Sequence, residues 1–82
     1  MRKYVEVLGV GKRKSGVGKK SGAKYDFTEF SIAYDADDFK GRKAETVAID
    51  AAVIGERNIA PGEVLDLVMH QANFKTYVDA IL

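Results

Sequence analysis

The side chains with chemical reach are concentrated between Gly9 and Tyr34. Residues 9–24 read GVGKRKSGVGKKSGAK, with five lysines, one arginine and no acid, and they lead directly into YDFTEFSIAY at residues 25–34. Arg13, Lys14, Lys19, Lys20 and Lys24 supply cations for phosphates, and the rings of Tyr25 and Phe27 supply flat faces for bases. A site for single-stranded nucleic acid needs both. Lysine offers point charges without a fixed geometry, and glycine lets the chain lie close to a phosphodiester backbone. The combination suits backbone tracking more than the reading of base edges.

Other chemistries fail on spacing. A phosphate-binding loop needs glycine, four residues, then Gly-Lys-Ser or Gly-Lys-Thr opening a helix. Here Gly18-Lys19 is followed by Lys20, Arg13 stands where the first glycine belongs, and the residues that follow read as a strand. His70 is the single histidine, and no serine sits in a nucleophile setting. Asp35, Asp37 and Asp38 lack the ordered spacing of a calcium loop and read as a solvated turn. No enzyme, metal, cofactor or small-molecule substrate is expected. The echo of GVGKRKSG at 9–16 in GVGKKSG at 16–22 is far shorter than a structural repeat and reads as a locally duplicated basic segment.

The formal net charge of +1 hides two opposed halves. Residues 1–24 carry +7 and residues 25–82 carry −6. Such asymmetry implies an anionic partner at the basic end and attraction between copies arranged head to tail. With 82 residues the chain is one small domain whose core buries a modest share of its surface, which makes oligomerisation a natural supplement. It has no cysteine, so disulfides and thiolate metal sites are excluded and a cytoplasmic setting is expected. No apolar run approaches the roughly 18 residues of a membrane span, and Met-Arg-Lys-Tyr is followed by no signal-peptide core. No membrane association is expected.

These residues must be positioned by short strands. Tyr4 to Val10 predicts a first strand ended by Gly9 and Gly11, and the glycines through Gly22 predict an irregular basic loop. Period two over Tyr25–Tyr34 puts Phe30, Ile32 and Tyr34 on one face and Tyr25 and Phe27 on the other. Asp35 to Arg42 predicts a polar turn carrying Phe39, and Ala44 to Ile49 a strand with Val47 and Ile49 inward. Ala51 to Asn58 is compatible with a short helix limited by Gly55. Ala60-Pro61-Gly62 predicts a firm turn and Val64 to Met69 a strand. Phe74 to Leu82 fits a helical stripe and an alternating strand equally well. The simplest total is an all-β fold of five strands in a small barrel, with one short helix.

The stretch SGVGKKSGAKYDFTEFSIAYD at 15–35, with IAPGEV at 59–64 and a last aromatic segment from Phe74, resembles the single-stranded-DNA-binding, helix-destabilising proteins of filamentous bacteriophages. The resemblance implies a five-stranded OB-like barrel with protruding basic and hairpin loops, a two-fold homodimer, and cooperative, largely sequence-neutral coating of single-stranded DNA during replication. By position it makes Lys14 and Lys19 phosphate contacts and Lys24 the basic residue before the strand. Tyr25 and Phe27 become the residues that meet bases, Phe74 the aromatic of a neighbouring loop, and Phe39 a looser match in a second wing. The chain departs from the family in a loop one residue longer, in lacking proline before Tyr25, and in an apolar last segment. Two other functions fit the same residues: RNA binding, since neither lysine nor an aromatic ring distinguishes ribose from deoxyribose, and a dimeric module whose basic loop docks an acidic protein. Exposed Tyr25 and Phe27 favour nucleic acid; buried ones favour docking.

Overall fold

Alternation of apolar and polar residues organises the chain into five antiparallel strands and one helical turn. In the computed structural model, which describes residues 1–82, these are β1 (Arg2–Val17), β2 (Lys24–Asp35), β3 (Arg42–Asp50), α1 (Ala51–Ile54), β4 (Val64–Ala72) and β5 (Lys75–Ile81). They form one sheet in the order β3-β2-β1-β4-β5. The sheet curls until β3 and β5 touch, which gives a small all-β barrel. Its strand order, and the helical turn between β3 and β4, are OB-like.

The core is the set of side chains on the concave face. Val5 and Val7 of β1, Phe30, Ile32 and Tyr34 of β2, Val47 and Ile49 of β3, Leu67 and Met69 of β4, and Val78 and Ile81 of β5 form one buried cluster. The inward sets expected in β2 and β3 are therefore found. Tyr34 keeps its hydroxyl satisfied by donating to Glu45 Oε1 at 3.0 Å. Burial first, and that hydrogen bond second, push its phenol up to about 12.

Gly9 and Gly11 do not end the first strand, and the basic segment is not an irregular loop. β1 continues to Val17, paired with β2 from Glu6 opposite Ala33 to Val17 opposite Lys24. Glycine weakens a strand without forbidding it when a neighbouring strand supplies the ladder. Two register shifts, between Val7 and Gly9 and between Val10 and Arg13, absorb the misfit as bulges. The irregular part shrinks to residues 18–23. The outer half of the β1–β2 hairpin thus becomes an arm projecting from the barrel, and the molecule measures 41 × 29 × 19 Å.

Elsewhere the turns follow local chemistry. Asp50 caps α1 by accepting from the Ala52 N–H at 2.8 Å, and Gly55 closes it at φ 62°. Gly62 takes φ 93° after Pro61 and donates to the Val7 carbonyl at 2.8 Å, which ties the turn to β1. The C-terminal ambiguity resolves as a strand, because Thr76, Val78 and Ile81 all reach the core from β5. Ile81 is consequently not part of an apolar C-terminal surface; only Leu82 remains exposed. Phe74 precedes β5, in a turn where Asn73 and Phe74 have φ of 53° and 62°. Two consecutive positive φ values make the tight hairpin turn whose twist matches its strands.

Candidate nucleic-acid interface

The outward face of β2 carries Tyr25, Phe27, Glu29 and Ser31 in alternate positions, back to back with the core residues Phe30 and Ile32. Tyr25 and Phe27 form a tilted ring pair with centroids 5.9 Å apart. Tyr25 is 45% exposed, and Phe27 is half-buried beside it. Across the hairpin Tyr25 faces Gly16. A Cβ at Gly16 would fall 2.8 Å from the Tyr25 hydroxyl oxygen and 3.0 Å from ring carbon Cζ, so glycine is what lets the ring lie flat on the arm.

The cations divide into two groups. At the arm's base Arg13 grips Asp26 through two hydrogen bonds, the Nε one at 2.7 Å, and Lys14 Nζ donates to Glu29 Oε1 at 2.6 Å. These bonds hold the carboxyls of Asp26 and Glu29 below their ordinary range and raise the Arg13 guanidinium above its own. Lys12, Lys19, Lys20 and Lys24 are exposed and form no ion pair. Lys19 and Lys20 ride on the arm's tip, which is closed by the Gly18 N–H donating to the Ala23 carbonyl and the Gly22 N–H donating to the Gly18 carbonyl. The unpaired charge is therefore displayed at the tip, by Lys19 and Lys20, and on the paired strands, by Lys12 and Lys24.

Not every expected residue joins this face. Phe39 lies in the β2–β3 connection, at the opposite end of β2 from Tyr25, where Lys43 Nζ sits 5.5 Å from its ring centre. Phe74 is fully exposed at the β4–β5 turn. A bulky residue at positive φ is strained, and here the tight β4–β5 turn imposes that conformation. His70 stacks on Tyr77 at 5.2 Å, and its Nδ1 lies 2.8 Å from Asp79 Oδ2, on the exposed side of β4 and β5. No group of three or more His, Cys, Asp or Glu residues is arranged to hold a metal.

Two participants escape a reading of the sequence. Asp26 and Glu29 become counterions of Arg13 and Lys14 only through the diagonal register of the hairpin. No helix is long and apolar enough to cross a membrane. In comparisons with known proteins, no family model, no curated protein and no solved structure matches this chain.

Proposed function

We propose that this protein binds single-stranded DNA without catalysis, gripping phosphates with the lysines of the β1–β2 arm and stacking bases on Tyr25 and Phe27. The observation that carries this reading is the outward, adjacent placement of the two rings on a cationic arm. A base has a π-face whatever its identity, so such a platform tolerates sequence. The arm is narrow and its Tyr25 ring lies open, which suits a flexible single strand that can splay its bases; a duplex keeps its bases stacked inside. The exposure of Tyr25 favours this function over a docking module for an acidic protein. The resemblance at residues 15–35 supports a role in coating single strands during phage or mobile-element replication, by a homodimer.

The lysines provide the test. Each phosphate neutralised on a single strand contributes a slope of about −0.7 to the dependence of log affinity on log salt. Lys19→Ala, Lys20→Ala and Lys24→Ala are each expected to flatten that slope by about 0.7, with the circular dichroism spectrum unchanged. Slopes that stay at the wild-type value in all three variants contradict the proposal. Oligo-dT and oligo-rU of equal length separate DNA from RNA preference.

A further inference from the structure

Beside the ring pair, on the same outward face, lies an open groove of about 400 Å³ that neither Tyr25 nor Phe27 lines. Gly9 and Gly11 form its floor, and Lys12, Lys14, Glu29 and Ser31 stand around it. A register shift of β1 on β2 falls at the groove, between Val10 and Arg13, and Gly11 lies against Glu29 there. A Cβ at Gly11 would lie 3.0 Å from the Glu29 carbonyl oxygen, so the strands approach closely there with no side chain between them.

Glu29 lines this groove in an exposed pair with Lys14. Its Oε1 accepts from Lys14 Nζ at 2.6 Å, while Oε2 engages no hydrogen bond within the protein. The hydrogen bond and charge of Lys14 lower the carboxyl below its ordinary range. The result is a carboxylate acceptor beside a cation and a hydroxyl, in a space of nucleotide size. Alternate residues of a strand stand about 6.8 Å apart, so a nucleic-acid strand resting on Phe27 meets Glu29 at the next outward position.

We propose that the groove is a base subsite in which a nucleobase donates its exocyclic amino group to Glu29 Oε2, so that cytosine is preferred to thymine. A carboxylate accepts from the N4 amino group of cytosine; thymine presents a carbonyl at the same position and is repelled. The inference rests on the single-stranded DNA reading and adds a base preference to otherwise sequence-tolerant binding. Lys12, at the rim, is placed for the phosphate of the same nucleotide.

The experiment compares labelled oligo-dC and oligo-dT of equal length, at neutral pH and fixed salt, on the full chain. Wild type binds oligo-dC more tightly, on the order of tenfold, as expected for a hydrogen bond to a charged acceptor. Glu29→Gln frees Lys14 and raises affinity for both strands, while the dC to dT ratio falls toward one. A purely electrostatic Glu29 would raise both affinities and leave the ratio alone. Gly9→Val reaches into the groove from its lining, at a position where a new Cβ meets only Ser31 Cβ, at 3.9 Å, and circular dichroism confirms that the variant is folded. This variant also brings the ratio to one and keeps oligo-dT binding. Equal wild-type affinities, or a ratio that neither variant moves, overturn the subsite while leaving the arm intact; failure of wild type to bind either strand overturns the single-stranded DNA reading and the subsite with it.

Discussion

Tyr25 separates a binding role from a packing role. Its ring lies outside the core cluster, so Tyr25→Ala is expected to cost about 1 to 3 kcal/mol of affinity for oligo-dT and to leave the urea midpoint nearly unchanged. Phe30→Ala, on the inward face of the same strand with Ile32 and Tyr34, is the contrast: loss of a buried ring costs about 3 to 5 kcal/mol of stability. A collapsed midpoint for Tyr25→Ala, or wild-type affinity with a normal midpoint, counts against stacking. Lys14→Ala should flatten the salt slope less than Lys24→Ala, because Glu29 already occupies part of the Lys14 charge. Titration of the slope in both variants checks this ordering. The ring positions were legible from period two in residues 25–34. The pairing of Arg13 with Asp26 and of Lys14 with Glu29 was not, since it depends on diagonal register across a hairpin whose first strand the glycines disguise.

The elements carry two further expectations. In the β1–β2 arm, Gly16→Val places a side chain where the Tyr25 ring now lies. The ring must swing away, so this variant should lose affinity much as Tyr25→Ala does, although Tyr25 itself is untouched. In the β4–β5 hairpin, Phe74→Gly relieves an L-residue at φ 62° and should stabilise the fold by about 1 kcal/mol while weakening oligo-dT binding. Chemical denaturation paired with binding assays reads both effects; a Phe74→Gly protein that binds normally removes that turn from the interface. β2 and β3 could be read from the sequence because alternation there coincides with burial, and α1 because Gly55 bounds it. β1 could not be read past Gly9, because its outer half has no buried side chains of its own and is held by pairing with β2. β5 was ambiguous because Phe74, Val78 and Leu82 satisfy both periods, and only contact with the barrel chooses between them.

At the scale of the molecule, only 13 of 82 residues are buried, which leaves apolar surface for a partner. Tyr4, Leu8 and Val64 are exposed on neighbouring positions of β1 and β4. A homodimer through that face is the expected state, and sedimentation of the wild type as a stable monomer at micromolar concentration contradicts it. Alkaline stability belongs to the whole barrel as well, since Tyr34 must stay neutral within the core. Its folded-state pKa is raised, so its contribution is complete below pH 10.0 and is lost as the pH rises through about 12. Tyr34→Phe should therefore remove the tyrosinate absorbance step near pH 12. The central claim, that a cationic arm with outward rings holds single strands, is tested most directly by measuring wild-type affinity for a single-stranded oligonucleotide and for the duplex of the same sequence at two salt concentrations. The account predicts tighter binding of the single strand at both concentrations and weaker binding at the higher one. Equal affinity for the two forms, or single-strand binding indifferent to salt, would contradict it.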